Sequence, residues 1–144
     1  MRTLLFENEY VTYHINEKES TIEECYKAET IHITTDILKS LMGKYAELFV
    51  KYKPRKMYAD NRDLLFPIVP EMQTWIEQNI AKTAVENGLL KIARVVGSDL
   101  IMQLSLEQMS QEGILLEKLE TNFFDNEDDA RKWLAQFDYS EFKS

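Results

Sequence analysis

The apolar residues of this chain change their period at Thr34-Thr35-Asp36, and that change narrows the folds open to it. Before this point Val11, Tyr13 and Ile15 alternate with Thr12, His14 and Asn16, the period of a half-buried strand. After it Ile37, Leu38, Leu41, Met42, Tyr45, Leu48, Phe49 and Tyr52 recur at helical spacing. Thr and Asp are good helix N-caps, and Pro54 closes the helix. The chain must therefore combine strands and amphipathic helices.

Two short polar connections divide the first part. Thr3–Phe6, Val11–Ile15 and a less apolar segment around Ile22, Glu24 and Tyr26 form an antiparallel meander, with the third strand expected nearer an edge. Beyond Pro54, strands and helices alternate. Lys56–Asp60 is a strand. A helix follows Pro70 with the stripe Met72, Trp75, Ile76, Asn79, Ile80, Thr83 and Ala84, and stops at Gly88. Leu90–Val96 is a strand, Gly97-Ser98-Asp99 opens another helix, and Leu119–Phe124 is the last strand. Asp125–Asp128 caps a final helix facing inward through Ala130, Trp133, Leu134 and Phe137. Strands joined by helices are expected to be parallel, with right-handed crossovers. The expected fold class is α/β, with a mixed sheet of an antiparallel N-terminal meander followed by parallel βα units. Without a linker or internal repeat, residues 1–144 read as one domain.

Charge restricts the partners. Seventeen Lys and Arg against 25 Asp and Glu give a formal charge of −8, which argues against nucleic acid because each phosphate needs a local cation. Lys51, Lys53, Arg55 and Lys56 are the nearest thing to a basic patch, and they read more simply as complements to a helix end. No apolar run is long enough to span a membrane, and the opening Met1–Phe6 is too short for a signal peptide. With Cys25 as the only cysteine, no internal disulfide or cysteine-rich metal site is expected, and the default location is a reducing cytoplasm.

Ligands of open α/β sheets gather beyond the carboxyl ends of the parallel strands. That rule selects Asp60, Asn61, Arg62 and Asp63, which can orient a polar ligand or hold their own loop, the structural role being preferred. The following stretch, Leu64 to Pro70, is apolar for a loop, and Phe66 within it needs a cover, a groove or a partner. Ser98 can bind an anion at a helix start, although helix capping is the preferred account of it. Capping also explains the acids of Asp125–Asp129 better than a cation does. No phosphate-binding glycine loop is present, and no cofactor is implied. Cys25 among Glu23, Glu24 and Glu29 is expected to have a raised pKa, so pairing it with His14 or His32 as a nucleophile has little support. No catalytic residue and no metal ligand set emerges, and the chain reads as a non-enzyme.

Several local sequences together resemble a known family. The ending Asn122–Leu134, with its Phe, Ala and Trp-Leu spacing, is similar to the close of SpoIIAA-like, or STAS-like, proteins. Tyr58-Ala59-Asp60-Asn61-Arg62 resembles their strand ending in Asp, Trp75-Ile76 their second helix, and Gly88–Val95 their helix stop and following strand. The likeness spans roughly residues 24–137 and is nearest to small single-domain bacterial members. It implies a mixed sheet with packed helices and a cytoplasmic, non-enzymatic role. The apolar loop Leu64–Val69 beside the charged turn adds the reading of a regulatory or protein-interaction module binding a protein partner through Asp60–Pro70, and an exposed edge of the meander allows self-association. Some relatives are switched by phosphorylation of a Ser after the central strand; here no Ser or Thr lies between Tyr58 and Met72. The alternative is a carrier of a small molecule or lipid, holding a small apolar ligand between the helices of Ile37–Tyr52 and Met72–Ala84.

Overall fold

The computed structural model of the protein describes residues 2–64, 70–97 and 119–136. Phe66, Ser98, the helix expected after Gly97 and Phe137 lie outside them. Strands β1 (Thr3–Glu7), β2 (Val11–Asn16) and β3 (Thr21–Tyr26) form the antiparallel meander. Helix α1 (Thr35–Tyr52) leads to β4 (Lys56–Asp60). A helical stretch over 70–86 comprises α2 (Pro70–Ile76), a π turn (Glu77–Ala81) and α3 (Lys82–Glu86). Strands β5 (Lys91–Val95) and β6 (Glu120–Phe124) follow, and α4 (Glu127–Ala135) closes the described chain. The six strands lie in the order β1-β2-β3-β4-β5-β6, with β3 to β6 parallel. The mixed α/β sheet expected from the periodicity is the observed fold.

One expectation is corrected. Strand β3 sits inside the sheet, where antiparallel pairing gives way to parallel. Its low apolar content comes from Glu23 and Glu24, both buried, which point to opposite faces and have partners there. The polarity of this strand marks buried carboxylates with partners, an ion pair at Glu23 and a hydrogen bond at Glu24, rather than an edge.

Alternation divides the sheet into two faces. Val11, Tyr13, Ile15, Ile22, Met57, Ala59 and Ile92 share one core with the buried stripe of α1 and with Met72, Ile80 and Ala84. Tyr58, Ala93 and Val95 on the other face are covered by Ala130 and Leu134 of α4. The local signals that build α1 are those read from sequence. Thr34 Oγ1 accepts from the Ile37 amide at 3.2 Å, and Lys53 takes a left-handed conformation at the C-cap, just before Pro54. Asn126, rather than an Asp, is the N-cap of α4, accepting from the Asp129 amide at 2.9 Å, with Glu127, Asp128 and Asp129 in the first turn. Asn79 leaves the expected stripe because the wider π turn carries it to the exposed side. The turn is braced by side chains, since Asn79 Nδ2 donates to the Trp75 carbonyl at 2.8 Å and Thr83 Oγ1 donates to that of Asn79 at 3.0 Å. Lys56 is buried beneath α4, so the Lys51–Lys56 cluster does not form one basic surface. Among the described residues no helix is long and apolar enough to cross a membrane.

An aromatic ladder ties α1 to the meander. Phe6 and Tyr13 stack at 5.8 Å, Tyr13 and Tyr45 at 4.5 Å with rings only 6° apart, and Phe49 tilts on Tyr45 at 4.8 Å. The Tyr45 hydroxyl is buried without a hydrogen-bond partner among the described residues. Removing an unsatisfied buried group relieves its desolvation cost. Tyr45→Phe is therefore expected to raise stability by about 1 kcal/mol, measurable as a higher urea midpoint with an unchanged slope.

Candidate functional site

Register places a row of polar residues on the sheet face that α4 covers only in part. Pairing aligns His14 with Glu23 and Glu23 with Tyr58, and in the next row Thr12 with Cys25 and Cys25 with Asp60. These rows approach the carboxyl ends of the parallel strands, where the chain turns into Asn61–Asp63. From α4, Glu127 and Arg131 reach the same place, and Arg2 reaches it from the N-terminal side. The result is a shallow open depression of about 90 Å³, lined by Arg2, His14, Glu23, Cys25, Tyr58 and Asp60 with the two α4 side chains.

Glu23 is its anchor. The carboxylate is almost fully buried, with Arg2 Nε at 3.0 Å and Arg131 Nη2 at 3.1 Å from the same oxygen. Arg131 also donates from Nη1 to the second oxygen at 3.4 Å, and from Nε to Glu127 at 2.8 Å. Its guanidinium lies 4.1 Å from the Tyr58 ring centroid. A buried carboxylate needs such compensation, because desolvation would otherwise expel its charge.

The Asp60–Asp63 turn is the part of the site that sequence had selected. Arg62 forks onto Asp60, with Nη2 donating to Oδ2 at 2.6 Å and Nε to Oδ1 at 3.0 Å, while its amide donates to Oδ1 at 3.1 Å. Burial works to raise the Asp60 pKa, but the hydrogen bonds and charge of Arg62 outweigh it and hold the carboxyl below its usual range. The Asn61 amide donates to the Val95 carbonyl at 2.8 Å, and the Asp63 carbonyl accepts from Thr30 Oγ1 at 3.1 Å. The turn is thereby fixed on both sides. Of the six residues selected by sequence, Asp60, Asn61, Arg62 and Asp63 are together, whereas Phe66 and Ser98 are outside the described residues.

Two further groups define the chemistry. The Tyr58 side chain is buried and its hydroxyl has no hydrogen-bond partner among the described residues. Burial, Glu127 and Asp60 push its pKa up to about 12 against the pull of Arg131 and Arg62, so the hydroxyl stays protonated and able to donate. Cys25 lines the depression with His14, but burial first, and then Asp60 and Asp63, raise its thiol above the ordinary value. A protonated thiol is a poor nucleophile. His32 lies in a 3₁₀ turn (Ala28–His32), is exposed and does not line the depression.

Sequence reading missed Glu23, Tyr58, Glu127, Arg131 and Arg2. The alternation of β2 offered a partial signal, since the polar residues opposite Val11, Tyr13 and Ile15 must share a face with those of β3. The Arg131–Glu23 contact joins residues 108 apart, and the packing of α4 on the sheet brings them together. No family model matches the chain, and neither the curated proteins nor the solved structures yield a match.

Proposed function

We propose that this protein is a non-enzymatic regulatory or protein-interaction module of the STAS-like type, working without the usual phosphorylatable Ser. The observation that carries this reading is the fixed array of paired charges around Glu23 and Asp60, set on a sheet face only partly covered by α4. A depression of about 90 Å³ falls well below the roughly 300–1,000 Å³ of ordinary small-molecule sites. Such a surface reads the side chains of a partner and does not enclose a ligand. The protonated Cys25 thiol fits a non-catalytic role. The order of the mixed sheet is that implied by the STAS-like resemblance, and a bacterial, cytoplasmic setting follows from the same reading.

The partner is more readily another protein than a second copy joined edge to edge. Strand β1 is an edge, but its register with β2 breaks between Leu4 and Phe6, and such a bulge obstructs continued strand pairing. A carrier of a small apolar ligand would need space between α1 and 70–86, where Leu41, Met42, Met72, Ile80 and Ala84 belong to one buried cluster. Native mass spectrometry of freshly purified protein distinguishes the two readings, an interaction module giving the mass of the bare chain.

Affinity capture from host-cell extract tests the proposal. The wild-type protein is expected to retain a partner that Arg62→Glu loses, with the two proteins unfolding at the same temperature. An unchanged set of retained proteins would overturn the reading.

A further inference from the structure

The opposite face of β3 buries a carboxylate with few partners. Glu24 is 2% exposed and faces the core that α1 covers. Tyr13 lies beside it on β2 and Ala59 beside it on β4. The Tyr26 hydroxyl, from the same strand, donates to Oε2 at 3.2 Å. Tyr45 approaches from α1, stacked on Tyr13 with ring centroids 4.5 Å apart. Neither of these last two phenols bonds to Glu24. Tyr13 donates to the Leu41 carbonyl at 3.4 Å, and the Tyr45 hydroxyl has no hydrogen-bond partner among the described residues. Arg94, in the same row beyond Ala59, supplies the opposing charge. The stretch 70–86 adds Met72, Ile80 and Ala84 to this core, all apolar.

Such surroundings suit a carboxylic acid better than a carboxylate. An ionised carboxyl group offers about four acceptor sites, and a buried charge is costly unless it is paired and hydrogen-bonded. Among the described residues Glu24 has the Tyr26 donor and a guanidinium two strands away. Further donors must come from water. Strand β3 cannot yield to admit it, because β2 and β4 pair with both of its edges. Helix α1 rests on the meander through side chains, with the Leu41 carbonyl holding Tyr13 by a long hydrogen bond. The helix is the layer that can give way.

We propose that Glu24 is a proton-operated latch for α1: protonated, it lets the helix close on the meander, and ionised, it draws in water and opens residues 41–49 while the sheet stays paired. Of the groups that face it, the phenols of Tyr13, Tyr26 and Tyr45 are pushed well above their usual range, by burial first and by Glu24 next, and stay protonated near neutrality. Glu24 changes charge there, since burial raises its pKa from 4.5 to about 7. In the open helix water reaches the group, which then titrates near 4.5. The closed form is favoured most below pH 4.5 and loses that advantage as pH rises through 7. From pH 6 to pH 8 the open fraction grows about tenfold.

Native-state hydrogen exchange in low urea, at pH 6 and pH 8, tests the latch on wild type and on Glu24→Gln. Amides of residues 41–49 are expected to exchange through an opening that depends weakly on urea and needs less free energy than the global unfolding reported by β5. In wild type their protection, corrected for the intrinsic exchange rate, should fall about tenfold from pH 6 to pH 8. In Glu24→Gln it should stay constant. Tyr26→Phe removes the donor to the ionised group and should extend the fall to higher pH. If α1 amides share the urea dependence of β5 at both pH values, no separate opening exists and the latch is overturned. A separate opening without pH dependence in wild type, or one whose pH dependence survives in Glu24→Gln, overturns it as well.

Discussion

Glu24→Gln is expected to stabilise this protein as pH rises, gaining about 3 kcal/mol on wild type between pH 4 and pH 8. Glu24 is 2% exposed on the helix side of the sheet, where its carboxylate accepts from the Tyr26 hydroxyl at 3.2 Å. Burial pushes its pKa from 4.5 up to about 7, against the opposing influence of Arg94 and the Tyr26 hydrogen bond. In the unfolded chain the group titrates near 4.5. The folded protein therefore holds the proton more tightly between these values, and stability falls as pH climbs through the window. At about 1.36 kcal/mol per pKa unit, a rise from 4.5 to about 7 corresponds to roughly 3 kcal/mol. A Gln cannot ionise, so the difference between the two proteins should be small at pH 4, grow through pH 5 to 7 and level off near pH 8. Urea unfolding of both proteins across this range measures it. A difference independent of pH would show that Glu24 titrates normally.

The sheet register explains why a carboxylate is tolerated there. Tyr13, Glu24, Ala59, Arg94 and Phe123 form one row across β2 to β6. Ala59 is fully buried between the acid and the base, and its small side chain leaves room above the sheet for their charges to interact.

The second large effect concerns packing. Phe49→Ala is expected to cost about 3–5 kcal/mol, because Phe49 is 1% exposed and ends the ladder that runs through Tyr45 to Tyr13. That loss is a large fraction of the roughly 5–15 kcal/mol holding a typical domain. The neighbouring Val50 is half exposed, and Val50→Ala should change stability by less than about 0.5 kcal/mol. Denaturant midpoints of the two variants make the comparison within one helix, and similar losses in both would contradict the assignment of α1's buried face.

What could be read from the chain and what could not have separate physical causes. The elements followed from local chemistry: period two in β2, the Thr34 cap and apolar stripe of α1, and the Pro54 stop. Asp60 to Asp63 was legible as well, since the carboxyl end of a parallel strand is where polar turns gather. Glu23 and Glu24 misled because a buried carboxylate breaks the apolar pattern that marks an interior strand. Glu23 finds its partner Arg131 far along the chain, and the packing of α4 on the sheet has no local signature. The displacement of Asn79 arose similarly, since nothing in a regular helical stripe announces a π turn.

The proposed interaction surface is tested by hydrogen–deuterium exchange on the protein with any partner that affinity capture retains. Protection is expected in peptides covering 56–63 and 127–136, the segments that carry Asp60, Arg62, Glu127 and Arg131, with exchange at α1 and β1 unchanged. Protection confined to α1 or to the β1 edge, with residues 56–63 and 127–136 exchanging as in the free protein, would contradict the placement of function on this face of the sheet.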